Sequence, residues 1–200
     1  MRSRPIHLTL LTLALVLVPA AGGAEVFAAK NEALAEAFPD ADSIDPHTLV
    51  LDDAKAARIE RRSQGALESR LATIHIAKKD GVILGYAIID VHTVRTFPEA
   101  FLVVLDPEGR VRDTRILAFY EPPEYMPPAR WLDQFAERKL DAELSLGGAI
   151  HGISGATLSS RAVTTGVRRA LALYETFLAT STVAAAPPTQ PAGHLAAGGQ

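Results

Sequence analysis

The sequence predicts an α+β fold in which an antiparallel meander of β-strands is flanked by helices. Between Leu71 and Tyr120, apolar segments of strand length alternate with connections of a few residues, and short connections join antiparallel neighbours. After the meander, Val163, Val167 and Leu171 recur at helical spacing. This spacing predicts an amphipathic helix that packs on the core.

The remaining elements follow from local signals along the chain. A first helix is predicted over residues 25–38, before Pro39, because proline ends a helix. A polar turn over 40–46 and a short strand over 49–51 are expected next. Asp52 and Asp53 favour the start of a second helix over 54–69. The strands of the meander are predicted over residues 71–77, 82–91, 100–105 and 110–120. A proline-rich loop over 121–128 follows, and two later helices are predicted over 128–139 and 160–179.

Both ends of the chain are predicted to lie outside the folded domain, which spans residues 25–182. Arg2 and Arg4 precede an apolar segment over 8–18, and small residues follow as far as Ala24. This pattern indicates a secretory signal peptide cleaved near Ala24, and hence a periplasmic protein. The alternative is an uncleaved anchor, although a bilayer-spanning helix needs about 20 apolar residues. Residues 183–200 are rich in Ala, Pro and Gly, which is typical of a disordered tail.

Composition excludes several classes of function. The 200 residues carry a net charge of −3 with both signs mixed along the chain, which argues against nucleic-acid binding. The absence of cysteine excludes disulfides, zinc–thiolate sites, iron–sulfur clusters and c-type haem attachment. His75 and His92 are expected to be hydrogen-bonded or exposed strand residues. No metal site is predicted, because no second ligand residue lies at a useful spacing from either histidine.

The segment from His151 to Ser160, His-Gly-Ile-Ser-Gly-Ala-Thr-Leu-Ser-Ser, is predicted to carry the function. Its small residues allow close approach to the backbone, Ser154 suits a helix cap, and the helix start suits a phosphate. One alternative is a cap with no further role. Another is a serine hydrolase elbow around Ser154, which is disfavoured because Ala156 replaces its second glycine and the only later histidine is in the tail.

Ser154-Gly155-Ala156-Thr157, followed by Leu158-Ser159-Ser160-Arg161, resembles the flavinylation motif of the FMN-binding domain family. That family includes the flavin subunits of the Rnf complex and of sodium-pumping NADH:quinone reductase. The Glu121-Pro122 pair resembles the family's Glu–x–Pro loop. The resemblance implies FMN joined by a phosphoester bond to Thr157 and installed from FAD by a FAD:protein FMN transferase. The implied cofactor-binding residues are Ser154, Gly155, Ala156, Leu158, Ser159, Ser160, Arg161 and Glu121.

Aromatic residues around the proline-rich loop have two interpretations. Tyr120, Tyr125 and Trp131 either pack in the core or border a flat ligand, because aromatic faces stack on planar rings. Tyr125 is included among the predicted cofactor contacts.

One position departs from the family pattern, and it leaves alternatives open. The family usually has an acid three residues before the first Ser or Thr of the motif, and His151 stands there. The predicted function is an exported electron-transfer flavoprotein rather than a stand-alone enzyme, with no catalytic residues of its own. Its expected partners are the transferase and a membrane or periplasmic redox protein, through which it could associate with the membrane. Noncovalent FMN binding and a non-redox exported binding module remain the alternatives.

Overall fold

The computed structural model describes residues 22–94 and 96–178. The predicted tail and residues 1–21 of the predicted signal peptide lie outside these ranges, and residues 22–24 begin the first helix. Among the described residues, no helix combines the length and apolar character needed to cross a bilayer.

The α+β prediction is confirmed: five antiparallel strands form one sheet in chain order, and helices pack on both faces. The strands are β1 (Ser43–Val50), β2 (Leu71–Lys79), β3 (Val82–Thr93), β4 (Pro98–Leu105) and β5 (Val111–Phe119). The predicted turn over 40–46 is wrong in its second half, because Ser43–Pro46 pair with Lys78–His75 of β2. Pro46 is tolerated there because β1 is an edge strand, where a missing N–H costs no ladder bond.

The helices are α1 (Gly22–Ala37), α2 (Asp53–Ser63), α3 (Ala129–Leu132) and α4 (Thr157–Leu173). Several predicted helix boundaries were wrong, including the start of α1, which lies at Gly22 and not at residue 25. α2 ends before residue 69 because Gln64 adopts a left-handed conformation, with φ of 60°. The helix predicted over 128–139 is one α turn and a 3-10 turn over Asp133–Phe135, after which Glu137 has φ of 62°. α4 begins three residues earlier than predicted, at Thr157, and a π turn continues it to Leu178.

The sheet separates two hydrophobic clusters. On one face, α2 and α4 cover the larger cluster, which includes the fully buried Ile59, Phe101 and Leu171. On the other face, Leu34 of α1 and Phe38, the residue after α1, pack in the smaller cluster. α4 approaches β4 closely at Gly166, where an added Cβ would lie 2.2 Å from a ring carbon of Phe101.

One buried arginine ties α4 to the rest of this layer. Arg168 is 5% exposed and donates hydrogen bonds of 2.7–3.2 Å to four backbone carbonyls. The acceptors lie at the end of α2 and in the segment before the motif: Arg62, Ser63, Asp141 and Leu144. The guanidinium therefore fixes both segments against α4, with charge-assisted bonds that are stronger than neutral ones.

The sheet opens at one end. β2 pairs with β3 only from Ile74–Ile88 to Lys79–Val82. Beyond that, Leu71–Thr73 pair with β1 alone and Ile89–Thr93 pair with β4 alone. We call this gap between the two diverging strands the β2–β3 fork.

Candidate functional site

Three chain segments meet at the same end of the sheet and enclose a pocket of about 210 Å³. They are the tip of the β3–β4 hairpin, the loop after β5 and the start of α4. The lining residues, which define the motif pocket, are Val94, Glu121, Tyr125, Gly155, Ala156, Thr157, Leu158 and Ser159. Ser154, Ser160 and Arg161, which the sequence also suggested, do not line it.

The first turn of α4 carries unpaired backbone donors. Ala156 is the N-cap residue and no side chain caps the helix, so the expectation that Ser154 caps it was wrong. Ser160 N–H is the first to bond, to the Ala156 carbonyl at 3.0 Å. The N–H groups of Thr157, Leu158 and Ser159 find no acceptor among the described residues, and the first turn holds no acid. Unpaired donors and the positive end of the helix dipole make this a seat for an anion.

Gly155 keeps the space beside these donors open. It has φ of +83°, and no atom lies within 4 Å of an ideal Cβ built on it. A residue with a side chain would be strained in this left-handed conformation. The backbone at Gly155 therefore turns into the helix without covering the donors.

Thr157 is the exposed hydroxyl at this seat. It is the first residue of α4, its side chain is exposed, and within the described ranges its hydroxyl makes no hydrogen bond. The hydroxyl is therefore free to react with an incoming group. Arg161 is also exposed, one turn further along α4, and its guanidinium forms no ion pair with a described residue.

Ser160 stabilises the turn that leads into α4. It is fully buried, its Oγ accepts the Ile153 N–H at 3.1 Å, and the same hydroxyl donates to the Ala156 carbonyl at 2.9 Å. Both bonds are internal to the motif. Ser160 therefore shapes the segment that presents Thr157.

Glu121 positions the opposite wall of the motif pocket. Glu121 is 8% exposed, and its Oε1 accepts the N–H groups of Thr96 and Phe97 at 3.0 and 3.2 Å. These bonds tie the loop after β5 to the tip of the β3–β4 hairpin. Val94, which sequence reasoning missed, enters the pocket wall through this hairpin.

The segment that leads into the motif is held through its backbone. Trp131 Nε1 donates to the His151 carbonyl at 2.6 Å, and Gln134 Oε1 accepts the His151 N–H at 2.9 Å. Trp131 is buried and packs edge-on against Phe135, so it belongs to the core. Tyr125 lines the motif pocket, whereas Tyr120 is 60% exposed and lines a different cavity.

A buried ionic cluster, which sequence reasoning missed, lies on β3 and β4 near this end. The His92 Nδ1 is 2.8 Å from Asp90 Oδ2, and its Nε2 is 3.5 Å from Glu99 Oε2. Arg169 Nη1 donates to Asp90 Oδ1 at 2.5 Å. Asp90 and His92 alternate along β3 and Glu99 pairs with His92 in register, so strand alternation could have placed the three side chains on one face.

The cluster fixes the charge of His92. Burial lowers the pKa of His92, but the hydrogen bond to Asp90 and the negative charges of Asp90 and Glu99 outweigh burial and raise it to about 9. Burial also acts to raise the pKa of Asp90, and its bonds to His92 and Arg169 bring it below the ordinary value. His92 is therefore an imidazolium at neutral pH. Within the described ranges, no three His, Asp or Glu side chains are arranged to hold a metal ion.

A comparison with protein-family models relates this part of the chain to known proteins. Residues 98–172 match the family model for the FMN-binding domain. The matched range begins at β4, and it contains every residue of the motif pocket except Val94. No curated protein matches the chain.

Proposed function

Because residues 98–172 of this chain belong to the FMN-binding domain family, we propose that the protein is an exported electron carrier whose FMN is joined to Thr157 by a phosphoester bond. The observation that carries this proposal is the exposed Thr157 hydroxyl at the start of α4. It stands beside three backbone N–H groups that no described residue accepts.

The residues around Thr157 suit a phosphate ester. A phosphodiester keeps one negative charge, which unpaired N–H groups and a helix N-terminus stabilise. The open space at Gly155 leaves room for the phosphate and for the enzyme that transfers it. Ser160 holds the turn through internal bonds, so the donors are in place before the ester forms.

The attachment reaction is a nucleotidyl-type transfer from FAD. The Thr157 oxygen forms a bond to the phosphorus that bears riboflavin, and the bond between that phosphorus and the AMP oxygen breaks. AMP leaves, and the threonine proton passes to a base of the FAD:protein FMN transferase. No electrons are exchanged in this step. The described part of the chain places no titratable group in hydrogen-bond contact with Thr157, which supports activation by a separate enzyme.

The size of the motif pocket supports a role in electron transfer. Its volume of about 210 Å³ is below the ~300 Å³ of the smallest pockets that enclose a drug-sized ligand. A pocket of this volume would enclose only part of FMN, and the rest of the cofactor would stay accessible to a redox partner. The flavin supplies one- and two-electron redox chemistry when bound. The chain holds and orients it, and a membrane or periplasmic redox protein is the proposed partner.

The covalent claim is tested by producing the full chain with and without a flavin transferase. We expect the protein from the transferase strain to remain fluorescent after denaturing electrophoresis. Its intact mass should exceed that of the transferase-free protein by FMN less one water. Thr157→Val should abolish both signals, whereas Ser154→Ala, a change at an exposed hydroxyl outside the pocket lining, should retain them. An unmodified wild-type product, or flavin retained by Thr157→Val, would contradict attachment at Thr157.

The two alternatives give different results in the same preparations. A noncovalent FMN binder purifies yellow and loses its flavin on denaturation. A non-redox binding module purifies colourless from both strains. Electron transfer is then tested by anaerobic reduction of the flavin-loaded protein and reoxidation by a quinone, and a flavin that is not reversibly reduced would exclude a carrier role.

A further inference from the structure

The β2–β3 fork contains a second and larger cavity, of about 800 Å³. Most of its described lining is apolar and includes Leu71, Ile88, Ile89, Val91 and Leu173. Cavities of 300–1,000 Å³ lined mainly by apolar side chains commonly bind small molecules. This cavity shares no described lining residue with the motif pocket, so it is a separate candidate site.

The cavity exists because two strands diverge. Leu71–Thr73 and Ile89–Val91 have no strand partner on the side that faces the fork. Their side chains form the walls, while the loop after α2 closes one face: Leu67, Glu68 and Ser69 all line the cavity. The gap therefore results from the point at which pairing between β2 and β3 stops.

His75 places an unused hydrogen-bond acceptor on the wall of this cavity. The side chain lines the cavity and is 3% exposed. Its Nδ1 lies 3.3 Å from the Ala87 carbonyl, and a carbonyl can only accept, so Nδ1 carries the proton. In a neutral imidazole the other nitrogen then has a free lone pair. Nε2 is buried and bonds to no described residue.

His75 is neutral at pH 7. Burial first, and the positive charge of Lys30 second, hold the pKa of His75 below its ordinary value. A buried acceptor without a partner is destabilising. A ligand that donates to Nε2 would remove that penalty.

The two carboxylates on the wall already have partners. Asp90 bonds to Arg169 and His92, and Glu68 accepts the Thr93 N–H at 3.3 Å. Among the side chains that line the cavity, His75 Nε2 is the buried neutral acceptor to which no described residue donates. Tyr120, exposed at the same end of the sheet, adds an aromatic wall.

We propose that the β2–β3 fork binds an apolar ring compound bearing a hydroxyl group, and that this hydroxyl donates a hydrogen bond to His75 Nε2. Phenols and hydroquinones have this chemistry. The proposal does not depend on flavin attachment, because it concerns a different cavity.

Two matched probes test the proposal on the full-length, flavin-free protein. 1-Naphthol has the ring and the donor, while 1-methoxynaphthalene has the ring alone. We expect saturable binding of 1-naphthol at one site in calorimetric titrations, with an affinity about two- to twelvefold higher than that of 1-methoxynaphthalene, the range that one neutral hydrogen bond supplies. Equal affinities, or no saturable binding of 1-naphthol, would overturn the proposal.

Variants test whether His75 causes the difference in affinity between the two probes. His75→Phe keeps a ring and removes the acceptor, so it should bind both probes with similar affinity. His47→Phe, at an exposed histidine on β1, should behave as wild type. Discrimination that persists in His75→Phe would exclude Nε2 as the acceptor. If His75→Phe does not fold, nitrogen NMR of wild-type His75 replaces it: 1-naphthol should shift the Nε2 resonance, and an unchanged resonance at saturation would refute the assignment.

The flavin-loaded protein provides the last comparison. We expect 1-naphthol to bind it with unchanged affinity, because the two cavities share no described lining residue. Loss of naphthol binding on flavinylation would indicate that the flavin ring occupies the β2–β3 fork. That result would overturn the proposal that the fork binds a separate ligand. A protein that is never flavinylated would defeat the proposed function and leave the naphthol experiment valid.

Discussion

The charge on His92 predicts how the stability of the protein depends on pH. His92 is 6% exposed, and its pKa is about 9 in the folded protein against an ordinary 6.5. At 1.36 kcal/mol per pH unit this difference corresponds to about 3 kcal/mol of folding free energy. Between these values the native state binds more protons than the unfolded state, so stability falls as pH rises. The contribution is complete below pH 6.5 and is lost as pH rises through about 9.

Urea denaturation at a series of pH values measures this effect. We expect the free energy of unfolding to fall by about 3 kcal/mol between pH 6.5 and 9.5, with direct NMR titration of His92 as a second readout. The neighbouring histidine does not interfere in this range. The pKa of His75 is lowered, so it costs stability only as pH falls and the unfolded chain takes up its proton.

A conservative variant tests the cause. Glu99→Gln keeps the size of the fully buried side chain and removes one of the two carboxylates that raise the pKa of His92. We expect a smaller fall in stability between pH 7 and 9. The exposed Glu143→Gln should leave the fall unchanged. A wild-type profile that is flat over this range, or a slope unaffected by Glu99→Gln, would refute the argument.

Two further predictions concern the backbone around the site. Arg168→Met removes four bonds to backbone carbonyls and should lower the free energy of unfolding by about 3–5 kcal/mol in urea denaturation. Arg161→Met, at an exposed position, should stay within about 0.5 kcal/mol, and equal effects would contradict the role of Arg168. Gly155→Ala must adopt φ near +83° and should cost about 1–2 kcal/mol in urea denaturation; on the proposed attachment, it should also slow flavinylation of Thr157. Gly152→Ala, where nothing lies within 4 Å of the added Cβ, is its control, and matching losses would remove the conformational argument.

Local signals were sufficient to predict the meander and the motif. Short connections such as Lys79–Val82 specify antiparallel neighbours from sequence alone, and the small residues before α4 are adjacent in the chain. The first half of β1 was missed because its residues are polar. They form a strand only because β2 lies alongside, and an edge strand needs no continuous apolar pattern.

Burial of charge could not be predicted in the same way. Arg168 and Glu99 look like surface residues in sequence, since charged side chains are rarely fully buried without partners. The partners of Arg168 lie 24 to 106 positions away, and those of Glu99 and His92 depend on strand register. The β2–β3 fork is likewise a property of where pairing stops, and no single residue marks it.

The contacts at His151 have a consequence for how the motif can diversify. Trp131 and Gln134 hold this position entirely through its main chain, and its imidazole is exposed. The course of the chain into the motif is therefore independent of the side chain that stands there. The loop therefore accommodates a histidine here, and would accommodate another side chain, without a change in its course. Substitutions at this one position can therefore change the exposed chemistry beside the motif while the backbone that leads into α4 stays constant.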